Sequence, residues 1–285
     1  MKNVIVDLGN YNIKYYSDNK SSFSAKYSIK FNPNGEMFER IEVDGKITYI
    51  GIGALDREFN KVKKTNYVAQ VLYAIENATD DKDINLCLLL PVVQMLNKGT
   101  FIDTFKDKIF HYKVNGAIRI IKINKVVVLP EGYVSYFALE NINKDEDTLV
   151  IDIGSRTVNY SWFANNKVQD SFTEKLGVFN FYTSVKDYQN SLGEDFSEED
   201  IERLIKNNRI QVEAKLYMDF FKEILNKTKG KINLKTFNVY FVGGGALLLR
   251  KYIEINTPGK VYEDAAYANV IGAYKLCESM WKDEN

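Results

Sequence analysis

The sequence is short of the residue types on which many enzymatic and metal sites depend. Among 285 residues there is one histidine, His111, and there are two cysteines, Cys87 and Cys277. A Ser-His-Asp triad would have to use His111, and a zinc site would have to bring all three residues together, so neither is favoured. Two cysteines far apart in the chain also argue against a disulfide framework and indicate a reducing compartment. We therefore expect a cytoplasmic protein.

An excess of charge of one sign and a long apolar run are also absent. Lysine plus arginine and aspartate plus glutamate both number 38, and only the segment 61–64 concentrates positive charge. Direct nucleic-acid binding depends on many cationic contacts with phosphates, so we expect none. No apolar run approaches the roughly 18 residues that a membrane span needs. The first residues are typical of a buried strand and not of a signal peptide, so we expect no membrane partner.

One short pattern occurs twice. Residues 5–15 read IVDLGNYNIKY and residues 150–160 read VIDIGSRTVNY. Each consists of an apolar strand, Asp-x-Gly, a short polar turn and a second strand. Each half also continues with further strands and then a helix rich in small residues, predicted at 131–140 and at 265–281. The repeat predicts an α/β protein of two related halves.

Periodicity supplies the remaining elements. Strands are predicted at 20–31, 41–52, 86–93 and 117–128. Helices are predicted at 66–77 and 211–227, where apolar residues recur at helical spacing. We interpret the apolar faces of both helices as core.

The two Asp-x-Gly turns are candidate phosphate sites. A glycine in a tight turn lets backbone N–H groups approach an anion, so each turn can form a small anion-binding nest. Asp7 and Asp152 end the strands before the turns, and a carboxylate beside phosphate is tolerable when Mg²⁺ intervenes, usually through water. Lys14, on the returning strand, can reach a phosphate as a point charge. One such turn is often an ordinary β-turn, whereas two at matching places favour a clamp on a di- or triphosphate.

A strand that ends in three glycines is the third candidate. Residues 239–245 read VYFVGGG and lead into an apolar helical start. Such a junction lets a flat ring or a ribose lie against the backbone and directs N–H groups toward phosphate. In isolation, a tight turn with close helix-strand packing explains it equally well. It is neither a Rossmann fingerprint nor a Walker loop.

Glu131 is the candidate to orient an attacking water. It follows Pro130 at a predicted strand end, where the chain should open onto a ligand. The competing interpretation is an N-terminal helix carboxylate stabilised by the helix dipole. The small residues around it, and those at 268–273, are interpreted as packing or a hinge between two crossing helices.

These elements, in this order, resemble the motifs of the actin-fold ATPase superfamily. The correspondence covers phosphate-1 at 7–14, connect-1 at 130–140, phosphate-2 at 150–157, the adenosine motif at 242–246 and connect-2 at 268–275. The strand at 49–55, the following Lys64-Thr65-Asn66-Tyr67 and the Leu129-Pro130-Glu131 junction are most similar to bacterial plasmid-segregation actins of the ParM and AlfA type.

The resemblance implies an actin-like fold, with two ribonuclease-H-like halves around a nucleotide cleft. The first half would cover 1–140, with an outer subdomain at about 20–65. The second would cover 141–285, with a reduced outer subdomain at about 183–210, which is closer to AlfA-like members. A C-terminal helix at about 265–282 would return to the first half.

The resemblance also implies the cofactors and their residues. The implied cofactors are ATP, or GTP, and Mg²⁺ held near Asp7 and Asp152 through water. Glu131 would position the water that attacks the γ-phosphoryl group, so that Glu131, Asp152 and Asp7 form the catalytic set. The implied nucleotide-binding residues are Gly9, Asn10, Tyr11, Asn12, Lys14, Gly154, Ser155, Arg156, Thr157, Gly177, Glu202, Lys206, Gly243, Gly244, Gly245 and Ala246. Of these, Glu202 and Lys206 would flank the purine, and Tyr11 and Arg156 are bulky where the family usually has small residues.

The leading functional hypothesis is a filament-forming ATPase that segregates plasmid DNA. Its partners would be further copies of the chain and, by resemblance alone, a DNA-binding adaptor on a centromere-like site. The alternative is an actin-fold small-molecule kinase, which needs a carboxylate base at an acceptor hydroxyl and usually a recognisable acceptor motif. No convincing acceptor motif is present. A DnaK-type chaperone and a membrane-attached cell-shape actin are less favoured, because no peptide-binding domain follows residue 285 and the final helix carries ordinary packing residues.

Overall fold

Two compact units make up the chain. The computed structural model describes residues 1–143, 146–229 and 232–282. The first unit consists of Met1–Glu140 with Tyr267–Asn285, and the second of Asn141–Ala266. Each unit contains one sheet with helices packed on it. The predicted α/β class is confirmed.

Nine strands form the sheet of the first unit. They are β1 Lys2–Asp7, β2 Asn12–Tyr16, β3 Lys20–Ser24, β4 Tyr27–Ser28, β5 Arg40–Val43, β6 Lys46–Ile50, β7 Asp83–Leu90, β8 Lys108–Val114 and β9 Ala117–Pro130. Their spatial order is β3-β2-β1-β7-β9-β8-β5-β6-β4. The pairs β1–β7 and β7–β9 are parallel. Parallel strands are usually covered on both faces, which accounts for the uninterrupted apolar character of β7.

Three α-helices belong to the first unit. They are α1 Tyr67–Ala78, α2 Lys98–Phe105 and α7 Ala268–Lys282. Val71, Leu72 and Ile75 are fully buried on α1, so the helix predicted at 66–77 is confirmed. Helix α7 contributes to a core cluster that contains both free cysteines, Cys87 and Cys277.

The helix predicted at 131–140 is wrong. The segment forms turns followed by a 3-10 helix at Val134–Ala138. Its backbone bonds span three residues, as from Leu139 N–H to the Tyr136 carbonyl at 3.2 Å. Gly132 has a φ of +74°, which an α-helix does not permit. Packing decides the outcome, because α7 crosses here so closely that a Cβ on Gly272 would overlap the Val134 carbonyl.

Three of the predicted strands also need correction. The strand predicted at 41–52 is a hairpin that turns at Asp44 and Gly45. The strand predicted at 117–128 is confirmed as β9, and it follows β8 across a similar turn at Asn115 and Gly116. All four turn residues have positive φ, the signature of a type I′ turn. The strand predicted at 20–31 is divided into β3 and β4. The strand predicted at 86–93 ends at Leu90, before Pro91, which has no N–H for the ladder.

The described residues of the second unit form five strands and four α-helices. The strands are β10 Thr148–Ile153, β11 Val158–Ala164, β12 Lys167–Glu174, β13 Asn238–Val242 and β14 Lys260–Val261. The helices are α3 Val178–Ser191, α4 Glu198–Lys206, α5 Ala214–Asn226 and α6 Gly244–Asn256. The strand order is β12-β11-β10-β13-β14, with β10 and β13 parallel. This matches β3-β2-β1-β7 of the first unit, so the two halves share a topology, as the repeat predicted. In the part of the chain that the structure describes, no helix has the length and apolar character needed to cross a bilayer.

Candidate functional site

The first Asp-x-Gly hairpin places two predicted site residues side by side. Asp7 ends β1 and pairs with Lys14 of β2 in the antiparallel register. The Gly9 N–H donates to the Asp7 carbonyl at 2.9 Å, and a Cβ on Gly9 would overlap the Asn12 carbonyl. The turn therefore requires glycine. Burial alone would raise the pKa of Asp7, but the ammonium groups of Lys61, Lys14 and Lys64 hold it below its usual value.

A buried lysine connects Asp7 to Glu131. The Lys61 ammonium lies 2.8 Å from Asp7 Oδ1 and also donates to Glu131 Oε1. All three side chains are buried. Burial opposes the charge on Lys61, but the two carboxylates raise its pKa above the usual value. The structure thus joins two residues predicted to be catalytic through one charged ammonium.

Hydrogen bonds with Asn60 and Gln94 fix the segment that carries Lys61. A 3-10 helix covers Lys61–Lys63 and is capped by the Asn60 side chain, which accepts from Val62 N–H at 3.2 Å. The buried Gln94 side chain accepts from Lys61 N–H and donates to the Phe59 carbonyl, each at 2.9 Å. These hydrogen bonds fix the Lys61 backbone. The surrounding segment therefore sets the direction of the Lys61 side chain toward the two carboxylates.

Glu131 lies at the carboxyl end of two parallel strands. Strands β7 and β9 remain in register to the pair Leu90 and Pro130, and the Glu131 N–H donates to the Leu90 carbonyl at 2.8 Å. Carboxyl ends of parallel strands are the usual place for ligands in open α/β sheets. This position is compatible with a role for Glu131 in orienting a water. The competing interpretation, a carboxylate at a helix N-terminus, does not hold, because no α-helix begins at Glu131.

Lys64 forms hydrogen bonds with carbonyl groups of the first turn. Its buried ammonium donates to the carbonyls of Leu8 and Gly9 at 3.2 and 3.3 Å. Burial, together with the nearby Lys61 ammonium, lowers the pKa of Lys64 to about 7. The lysine engages carbonyl oxygens of the turn, so the predicted anion nest depends on a residue outside the hairpin.

The second hairpin repeats the arrangement of the first. Gly154 N–H donates to the Thr157 carbonyl at 2.8 Å, which closes the turn. Asp152 pairs with Asn159 of β11, and the Asn159 side-chain amide donates to Asp152 Oδ2 at 3.2 Å. Asn159 is oriented in turn by the Thr173 hydroxyl, which donates to its Oδ1 at 2.7 Å. The Asp152 carboxylate is thereby held at the end of its strand.

Helix α3 begins against the second turn. Val178 and Phe179 N–H groups donate to the carbonyls of Gly154 and Ser155 at 3.0 and 2.9 Å. Gly177 precedes the helix, and a Cβ there would meet the Ser155 and Arg156 backbone. The Arg156 guanidinium stacks over the Phe179 ring at 4.6 Å. Gly177, which the resemblance implies as a nucleotide-binding residue, is thus a direct neighbour of the second turn.

The glycine junction lies at the same end of the second sheet. Gly243 has a φ of +85°, and a Cβ there would come 2.6 Å from Asp152 Oδ1. Helix α6 then starts at Gly244, and Gly245 packs on Ile153, where a Cβ would overlap the isoleucine. Ala246 is fully buried. The second unit therefore brings Asp152, the second turn and the glycine junction together.

The remaining predicted residues have varied environments. Tyr11 accepts from Ala25 N–H through its carbonyl at 2.9 Å, and Asn12 is the first residue of β2. Asn10 is buried, and its Oδ1 has no hydrogen-bond partner among the described residues. Glu202 and Lys206 lie on α4, which packs on α3, and they pair with each other at 2.6 Å.

Sequence reasoning missed Lys61 and Lys64 as site residues. Both lie in a short lysine-rich segment of a neutral chain, and that was the available signal. Lysines in a short charged run are usually solvated, whereas both of these side chains are 4% exposed. Asn159, the partner of Asp152, was also missed.

Asp7 and Asp152 offer carboxylate oxygens, a type of donor atom that Mg²⁺ accepts. Mg²⁺ accepts one or two carboxylates and keeps several waters. Asp7 Oδ1 accepts from the Lys61 ammonium, and Asp152 Oδ2 accepts from the Asn159 side-chain amide. Within the described ranges, no three His, Cys, Asp or Glu side chains lie close enough together to hold a metal. This chemistry is compatible with water-mediated binding by single carboxylates.

Comparison with known proteins gives one family match. Residues 6–133 match the family model of the N-terminal domain of actin-like proteins. No curated protein matches the chain.

Solved structures match over nearly the whole chain. The archaeal actin homologue Ta0583 in complex with ADP is 17% identical, with a TM-score of 0.80, over 98% of this chain and 100% of that one. A 15-stranded ParM filament from Clostridium botulinum is 18% identical, with a TM-score of 0.79, over 98% and 99%. An AlfA filament bound to AMPPNP is 20% identical, with a TM-score of 0.71, over 99% and 98%. The chain therefore has an actin-like fold of the kind seen in ParM and AlfA, and its first half matches the N-terminal domain of actin-like proteins.

Proposed function

We propose that this chain is a filament-forming protein that binds and hydrolyses ATP with Mg²⁺ and that separates plasmid DNA in the cytoplasm. The observation that carries the proposal is the repeated hairpin: each unit ends a buried strand in an aspartate, follows it with a glycine turn, and supports that turn with residues from elsewhere in the unit. Two such turns at matching places favour a clamp on a phosphate ligand. GTP is the alternative nucleotide.

Each hairpin has a defined part in the proposed reaction. The N–H groups of the two turns bind phosphate oxygens, with Lys14 supplying a positive charge in the first unit. Residues 243–246 bind ribose and adenine at the glycine junction. Asp7 and Asp152 would hold Mg²⁺ through water, and the ion would neutralise phosphate charge when bound. Glu131 orients the attacking water, so hydrolysis depends on positioning and charge stabilisation.

Three similar solved structures support this proposal, because two of them contain a nucleotide and two of them are filaments. One actin homologue was solved with ADP, one AlfA filament with AMPPNP, and the ParM relative as a 15-stranded filament. We extend nucleotide binding and self-assembly to this chain by analogy of fold. The balanced charge of the chain leaves DNA binding to a separate adaptor protein.

The proposal is tested by nucleotide titration of the purified chain in the presence of Mg²⁺. We expect ATP to bind and phosphate to be released, and we expect Asp152→Asn to weaken binding by about tenfold or more. Asp187→Asn is the matched control, because that side chain is 64% exposed on α3. Failure of the wild-type chain to bind ATP or GTP would overturn the proposal. Turnover that appears only with an added hydroxyl acceptor would instead favour a small-molecule kinase.

A further inference from the structure

One internal cation lies between two of the residues assigned to catalysis. Lys61 donates to Asp7 and to Glu131, and the three residues come from three separate segments of the first unit. All three are nearly inaccessible to solvent. Burial of a charged group is costly unless it is paired and hydrogen-bonded, so this arrangement is stable only as a set.

The charges of the set do not cancel. Asp7 and Glu131 bring two negative charges, and Lys61 brings one positive charge. The ammonium groups of Lys14 and Lys64 act on Asp7 from a greater distance. Loss of the Lys61 charge would remove the cation that Asp7 and Glu131 share, which favours uptake of another cation or a proton there.

The ammonium also occupies one oxygen of each carboxylate. Lys61 is bonded to Asp7 Oδ1 and to Glu131 Oε1. Because it is tethered to a backbone fixed by Gln94 and Asn60, its effective concentration at the carboxylates is high. Mg²⁺ loses its waters reluctantly and here would gain only two protein carboxylates. We therefore expect the tethered ammonium, and not Mg²⁺, to occupy the two carboxylates in the nucleotide-free chain.

We propose that Lys61 is the resident counterion of Asp7 and Glu131, which holds the two carboxylates together in the nucleotide-free chain and excludes a divalent cation from them until a nucleotide binds. Lys61 is thus a positioning residue that acts through both carboxylates. The link to nucleotide rests on the proposed function, whereas the exclusion of the cation is a property of the nucleotide-free chain.

The test is Mn²⁺ binding to the nucleotide-free chain, followed by the electron paramagnetic resonance signal of free Mn²⁺. Lys61→Met is expected to bind Mn²⁺ about tenfold or more tightly than the wild-type chain, because removal of the shared ammonium leaves two buried carboxylates that favour another cation. Lys63→Met, an exposed neighbour on the same 3-10 helix, is the control and should behave as wild type. Equal Mn²⁺ affinity of Lys61→Met and the wild-type chain would overturn the proposal.

A second variant distinguishes a specific gain in Mn²⁺ affinity from a general loss of structure. In Lys61→Met with Glu131→Gln, one carboxylate is gone, and the gain in Mn²⁺ affinity should disappear. If Lys61→Met folds poorly, Mn²⁺ should raise its melting temperature more than that of the wild-type chain, and an equal rise would contradict the proposal. None of these measurements involves ATP, so a chain that fails to bind nucleotide but shows this pattern refutes only the proposed function.

Discussion

The Lys64 ammonium donates to the Gly9 carbonyl at 3.3 Å, although the two residues are 55 positions apart. The same group reaches the Leu8 carbonyl, so one buried lysine satisfies two carbonyls of the first phosphate turn. Unsatisfied buried carbonyls are costly, and Lys64 donates to both of these carbonyls. The conformation of the turn should therefore depend on Lys64.

Lys64→Met is expected to weaken ATP binding by about tenfold, which corresponds to roughly 1.4 kcal/mol. Methionine retains the apolar stem but leaves the Leu8 and Gly9 carbonyls without their donor. Isothermal titration with a non-hydrolysable ATP analogue measures the change. Lys63→Met is the matched control, because Lys63 is exposed on the same short helix. Equal affinities of the two variants would show that Lys64 does not hold the turn.

The stability of the chain should rise with pH above neutrality because of Lys64. Its pKa is lowered from 10.5 to about 7, chiefly by burial. Between these values the unfolded chain binds more protons than the folded chain, so the free energy of unfolding increases as pH rises. The slope for one full proton is about 1.4 kcal/mol per pH unit. Urea unfolding from pH 7 to 9.5 should show this slope in Lys63→Met and lose it in Lys64→Met; identical profiles would contradict the assignment.

Gly243→Ala is expected to lower the free energy of unfolding by about 2 kcal/mol or more. The residue has a φ of +85°, and an added Cβ would approach Asp152 and Ile153. Gly244→Ala is the control one residue later, because nothing lies within 4 Å of its added Cβ. It should leave stability unchanged or raise it by up to about 1 kcal/mol. Denaturant unfolding compares the two, and similar losses in both would refute the packing argument.

Glu131→Gln should slow phosphate release by about 100-fold or more, while ATP affinity changes by less than about threefold. Glutamine keeps an oxygen that accepts from Lys61 but cannot act as a carboxylate toward water. Glu140→Gln is the control, because that side chain is 73% exposed. Unaltered phosphate release by Glu131→Gln would remove Glu131 from the catalytic set.

Arg156→Lys is expected to weaken ATP binding by several-fold while the positive charge is kept. The guanidinium stacks on Phe179, and an ammonium offers neither the planar stack nor a bidentate contact with phosphate. Arg250→Lys, on the exposed face of α6, is the control. Equal affinities in the two variants would place Arg156 outside the binding site.

The repeated hairpin was predictable because its signals are local. An apolar strand, an aspartate and a glycine lie within five residues in each half, and hydrogen bonds such as Gly154 to Thr157 form within the turn itself. The helix at 67–78 was predictable for the same reason, since its apolar spacing lies on one element. The turns at Asp44-Gly45 and Asn115-Gly116 carried an equally local signal, which should have indicated two hairpins.

The features that sequence did not predict depend on distant segments. Small residues favour a helix at 131–140, but the close approach of Gly272 to Val134 leaves room only for a 3-10 turn. Lys61 and Lys64 are typical of surface residues, because lysines in a short charged run are usually solvated. Their partners, Asp7 and Gly9, lie more than fifty positions away, and no periodicity in the sequence connects them.

Assembly of the purified chain is the most direct test of the central claim. Electron microscopy of the protein with Mg²⁺ and a non-hydrolysable ATP analogue should show filaments, and the same protein without nucleotide should show none or far fewer. A chain that binds the analogue yet remains monomeric at tens of micromolar would contradict the claim that it is a nucleotide-dependent filament protein.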